Sequence, residues 1–157
     1  MKYLRHSILA LFFVVQLPAE CVSGGIAVVV NKTNGIDSLT LSQLRKVLMG
    51  EARNWPDRKA VVIVNREPNS NVFHCMLAAI IGLSEDEYRR SLLNREFRGD
   101  EPAPVRVAVS TSSAVSTVVE IEGGITLVES SVVSRLPSSV KVLRINGKAP
   151  GDAGYPL

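Results

Sequence analysis

The stretch "VVIVNREPNSNVFHCMLAAIIGLS", residues 61–84, passes from an apolar strand through a polar bend into an apolar helix. Val61, Val62, Ile63 and Val64 form an unbroken β-branched run, the pattern of a strand covered on both faces. Residues 71–81 are predicted to be helical, with Gly82 as the stop. Between them lies "REPNSN", which places Arg66, Asn69, Ser70 and Asn71 where the helix begins. A helix start exposes unpaired backbone N–H groups and the positive end of the helix dipole. A serine hydroxyl and an arginine fork added there make a candidate oxyanion site, with Arg66, Asn69, Ser70 and Asn71 as its ligand-binding residues. The same residues also fit a structural role, in which Ser70 or Asn69 caps the helix and Arg66 is solvated. Spacing alone leaves both readings open.

Strands and helices alternate on either side of the bend. "GIAVVVN", residues 25–31, is a second continuous apolar run, expected to be a strand of the parallel-sheet type. "KTNGIDS" reads as a turn-rich link. Thr40 and Gln43 form a capping box that opens a helix with Leu41, Leu44, Val47 and Leu48 on one face and Gly50 at its end. The polar loop "EARNWPDRK" carries Trp55, expected to pack near Leu44 and Leu48, and leads into the strand at residues 60–65. Ser84 and Glu87 form another capping box, opening "EDEYRRSLLNREF". "VRVAV" and "ITLV" are the third and fourth strands, separated by the helix "STSSAVSTVVEIEGG"; "VKVLRI" is the fifth. Strands alternating with helices argue a single layered α/β domain.

The first 24 residues are read as lying outside that domain. Lys2 and Arg5 precede an apolar run at residues 8–15, and small residues follow at Ala19, Ser23, Gly24 and Gly25. This is the anatomy of a cleaved secretory signal peptide, too short to span a bilayer as a permanent helix. Glu20 before Cys21 argues against a lipid-modified cysteine. The remaining chain, residues 25–157, is expected to be exported to an oxidising compartment. The formal net charge of +3 falls to about +2 without Lys2, Arg5 and Glu20, and the pI of 9.1 mildly favours an anionic partner. Aromatic residues make up 5% of the chain and there is no Lys/Arg run, which argues against nucleic acid.

Catalytic chemistry finds little to work with. His74 is the one histidine outside the leader, and Cys75 beside it on a helix points elsewhere, so the two do not form a nucleophile–base pair. Neither metal-ligand spacing nor a phosphate-cradling Gly-rich motif occurs. An enzyme, a metal site and a cofactor are therefore not expected.

The order of the pieces is what is specific. "IAVVVN", "IDSLTLSQLRKVLMGEARNWPD" and "VVIVNREPNSNVF" together resemble the phosphate-type substrate-binding proteins of ABC importers, of the type II periplasmic-binding class. The matching positions are Asn31, Ser38, Leu39, Thr40, Leu44, Gly50, Trp55, Arg66 and Ser70. "EGGITLVESS" is similar to a later strand of the family, and "VKVLRINGKAP" with "YPL" to its ending. The resemblance implies a periplasmic-binding-protein type II-like domain with a mixed sheet of about five strands and helices on both faces. It also implies phosphate or another small oxyanion as ligand, with an ABC permease or envelope protein as partner and the periplasm as the compartment. Two departures stand out. The family's bend reads R-x-x-G-S-G-T, whereas here it is "REPNSNV", keeping Arg66 and Ser70 without the glycines; and Thr126 stands where the family often has glycine. Full-length members also carry another lobe that closes on the ligand, so a homodimer completing the site enters as an expectation. The alternative is an envelope interaction module that keeps the fold and has lost tight binding.

Overall fold

The computed structural model describes residue 21 and residues 25–157; the leader expected at residues 1–24 falls, Cys21 apart, outside the described residues. The core is a five-stranded sheet of spatial order β4-β3-β5-β1-β6. Its strands are β1 (Ile26–Asn31), β3 (Val62–Arg66), β4 (Val105–Ala108), β5 (Gly124–Glu129) and β6 (Val140–Val142). A separate parallel pair joins β2 (Ser38–Leu39) to β7 (Arg144–Ile145). The helices are α1 (Leu41–Leu48), α2 (Asn71–Met76), α3 (Glu85–Phe97) and α4 (Thr111–Glu120). A wider π-type turn, Leu77–Ile81, continues α2 to Gly82, whose φ of 70° ends it in the left-handed conformation. Ser130–Arg135 forms a 3₁₀ turn after β5.

The mixed α/β architecture is the one expected, with helices on both faces of the sheet. Alternate β1 residues divide the core between the two layers. Ile26, Val28 and Val30 join α1, α2, the π-turn, Trp55 and Tyr88, whereas Ala27 and Val29 join Ala114, Val115 and Val118 of α4. Both Thr40–Gln43 and Ser84–Glu87 form complete capping boxes, as the spacing predicts.

Three expectations are corrected. β1 is buried on both faces, but it pairs antiparallel with both β5 and β6, so its apolar run reports two covering layers rather than strand direction. "KTNGIDS" is not all link, because its last residue, Ser38, forms a strand with Leu39. "VKVLRI" is not one strand. Leu143 still donates its N–H to Val28 of β1 at 2.9 Å, but Arg144 donates to Asp37 at 3.0 Å. The chain peels off one sheet there and starts the other.

Topology fixes where a site can form. β3 is parallel to β4 on one side and to β5 on the other. The three strands therefore end on one edge of the sheet. β3 is followed there by α2, and β4 by α4. In open α/β sheets the crevice beyond the carboxyl ends of such strands, where successive connections leave in opposite directions, is the usual ligand position.

Candidate anion-binding site at the strand ends

Arg66 is the last residue of β3, Thr111 the first of α4 and Glu129 the last of β5. The strand order makes them neighbours. Arg66 Nη1 donates to Thr111 Oγ1 at 2.5 Å and stands 3.9 Å from Glu129 Oε1. The Thr111 hydroxyl donates onward to Glu129 Oε2 at 3.0 Å. The Arg66 side chain is 10% exposed, and its Nε is buried without a hydrogen-bond partner. A guanidinium that deep must be paired, and the threonine-bridged carboxylate supplies the pairing.

Ser70 stands at the start of α2. Its hydroxyl accepts from the Phe73 N–H at 3.2 Å and donates to the Glu67 carbonyl at 2.8 Å. It is thus an N-cap whose proton is already committed. Asn69 and Asn71 are exposed on either side of it. Of the four residues singled out in the bend, the structure ties Arg66 to α4 and β5 and ties Ser70 to its own helix. Ser110 caps α4 in the same manner, in a reciprocal box with Ser113. Two helix starts therefore face the edge where Arg66 lies. A cavity of about 170 Å³ opens beside Arg66, walled by Phe73, Tyr88, Leu92, Val105 and Val107.

Thr111 and Glu129 were not anticipated from the sequence. Their signal was available in principle, as the residues that end or follow parallel strands adjacent to β3. His74 is exposed and Cys75 buried, in keeping with the diverging directions expected of helical neighbours. Among the described residues no group of three or more His, Cys, Asp or Glu is placed to hold a metal ion.

Two further polar residues explain positions that the resemblance marked. The Asn31 side chain, 5% exposed, donates to the Val118 and Val119 carbonyls at 2.9 and 3.0 Å, so it closes the end of α4. Thr126 is buried at 1% exposure because its hydroxyl donates to the Val64 carbonyl at 2.7 Å.

This architecture is that of a periplasmic-binding-protein domain, and comparisons with known proteins agree. The family described as a PBP superfamily domain matches residues 17–149, and the chain belongs to it. Among solved structures, the chain is similar to an ABC-type phosphate transport receptor from Vibrio cholerae, with 22% identity and a TM-score of 0.62 over 80% of this chain and 48% of that one. It is similar to a phosphate ABC transporter substrate-binding protein with bound phosphate from Clostridium perfringens, with 20% identity and a TM-score of 0.63 over 80% and 46% of the two chains. It also matches PstS from Borrelia burgdorferi, with 15% identity and a TM-score of 0.64 over 80% and 49%. The chain thus spans about half the length of each of these proteins. No curated protein matches it.

Proposed function

We propose that this chain is a periplasmic binding protein for phosphate or a related small oxyanion, exported by a leader cleaved near residue 24 and serving ABC-type uptake or sensing. The observation that carries the reading is the convergence of a nearly buried Arg66 with Thr111 at the carboxyl ends of parallel strands, beside the capped starts of α2 and α4. The fold shared with phosphate receptors supports it. In this reading an anion takes the guanidinium from Glu129 and accepts the Thr111 hydroxyl, while Ser70 holds the bend in shape. Asn69 and Asn71 flank the anion.

A specific observation favours the second reading, an envelope interaction module. Arg66 already has a carboxylate partner within the fold, and the Ser70 proton is spent on Glu67. Calorimetric titration of the secreted chain with phosphate, sulfate and short carboxylates separates the two. Binding that Arg66→Ala weakens about ten- to a hundredfold, the worth of one charge-assisted pair, supports the receptor. Absence of binding at millimolar anion, or binding indifferent to Arg66, overturns it in favour of the module.

A further inference from the structure

β4 is one of the two edges of the main sheet. Its inner side is paired with β3, where Ile63 N–H donates to Pro104 and Glu67 N–H to Ala108. In a parallel ladder alternate residues turn both their N–H and C=O to the same side. Pro104, Arg106 and Ala108 therefore face β3, the backbone groups of Val105 and Val107 face outward, and so does the N–H of Val109, one residue past the end of β4. These three valines are 37%, 64% and 72% exposed. Natural edge strands are normally blunted by proline, lysine or a bulge. Here Arg106 is the sole charge between Val105 and Val109, and strand alternation puts its side chain on the other face. Beside Val105 lies a groove of about 530 Å³ between α3 and β4, walled by Leu92, Leu93, Pro102 and Ala103 and rimmed by Arg89, Glu96 and Glu101.

We infer that β4 pairs antiparallel with β4 of a second copy of this chain, about a two-fold axis at Val107. The register follows from chemistry. A two-fold at Val107 puts Val107 opposite itself, Val105 opposite Val109 and Arg106 opposite Ala108. Val107 then exchanges both hydrogen bonds with its copy, the Val109 N–H donates to Val105 of the second copy, and β-branched side chains pair along one face. An axis at Arg106 would set two guanidinium groups directly opposite, which opposes pairing. An axis at Ala108 would set Val105 opposite Thr111, the first residue of α4, and so leave it without a strand partner. The valine register is thus the one in which edge, side chains and charge all match themselves, as an isologous interface requires. It joins two five-stranded sheets into one. Leu93, 47% exposed on α3, lines the groove beside Val105. The inference is independent of whether an anion binds at Arg66.

Sedimentation equilibrium of the secreted chain from micromolar to sub-millimolar concentration should show a monomer–dimer equilibrium. Val107→Asp sets two carboxylates on the axis and should raise the dissociation constant tenfold or more, while circular dichroism stays unchanged because the position is exposed. Residues paired across such a ladder have Cα atoms about 5.5 Å apart, within disulfide reach. Val107→Cys should therefore give a covalent dimer on mild oxidation, whereas Arg106→Cys should not. The cysteine pair decides the matter if the aspartate variant fails to fold. A chain that stays monomeric throughout, or a dimer that neither Val107→Asp weakens nor Val107→Cys cross-links, overturns the proposal.

Discussion

At the scale of single residues, the close approaches in this fold are made by a few groups with two jobs each. Trp55, 4% exposed, fills the same apolar cluster as Leu44 and Leu48, as expected, and its indole N–H also donates to the Gly123 carbonyl at 2.9 Å. Gly123 in turn admits no side chain, since a Cβ there would lie 1.7 Å from the Ala60 carbonyl oxygen. Trp55→Ala should cost about 3–5 kcal/mol in urea unfolding, as for other buried large-to-small changes; a loss below about half a kcal/mol would contradict the burial. Gly123→Ala should cost about 1–3 kcal/mol or more by overpacking against immovable backbone. Tyr88 is the one buried residue of α3, stacked edge-on to Phe73 at 6.3 Å. Its hydroxyl donates to the Leu48 carbonyl at 2.8 Å and accepts from Asn65 Nδ2 at 3.2 Å. Tyr88→Phe leaves both partners unsatisfied and should destabilise by about 1–3 kcal/mol on the same assay. Trp55 was legible because one aromatic in a polar loop has few places to go. The Gly123 and Asn65 partners were not, because each is brought in by a separate strand connection.

At the scale of elements, what was legible is what local chemistry alone decides. Thr40–Gln43 and Ser84–Glu87 announce helix starts by spacing, and the β-branched runs announce β1, β3 and β5. What was hidden depends on pairing. The antiparallel direction of β1, the division of "VKVLRI" between two sheets and the two-residue β2 all follow from partners distant in sequence. The candidate site divides along the same line. Arg66 and Ser70 are read off one bend, whereas Thr111 and Glu129 become neighbours only through the strand order. The second capping box also makes a pH prediction. Hydrogen bonds from the Ser84 backbone N–H and hydroxyl hold the Glu87 carboxyl below its ordinary value. A group whose folded pKa is depressed stabilises the fold above its unfolded pKa and loses that contribution as pH falls through the folded value. Glu87→Gln keeps an acceptor oxygen without the ionisation. Its deficit relative to the parent should therefore be present at neutral pH and close as the solution is taken below about pH 4, the unfolded carboxylate range. Thermal unfolding at stepped pH reads this directly, and a gap that stays constant into acid would mean that the ionised carboxylate adds nothing to the cap.

At the scale of the whole molecule, the final residues are packed into the fold. Tyr155 and Leu157 pack against the larger core cluster, and the Leu157 carbonyl lies so close to Gly25 that a Cβ there would stand 2.3 Å away. Gly25, at a φ of 79°, opens β1, and its carbonyl accepts from Ser130 after β5. The tail thus meets the start of β1 and the end of its neighbour β5. Burial pushes the Tyr155 hydroxyl up to about 12, and that hydroxyl is buried without a hydrogen-bond partner. The neutral phenol is accordingly what the fold accepts. Because the folded chain holds this proton more tightly than the unfolded chain, the contribution is complete below the unfolded value of about 10 and is lost as pH rises from there toward the folded value. Burial also raises Tyr88, so both tyrosines act in the same direction. They differ at neutral pH. Tyr88→Phe removes a hydroxyl with two partners, whereas Tyr155→Phe removes one with none, a change that is nearly neutral or stabilising. Tyr155→Phe should therefore keep or raise the melting temperature at pH 7 and move the onset of alkaline unfolding to higher pH. Tyrosinate absorbance, followed together with circular dichroism through the alkaline range, checks both halves. If Tyr155 ionises near pH 10 with the fold intact, or if its phenylalanine variant unfolds at the same alkaline pH as the parent, the tail is not what closes the molecule against alkali.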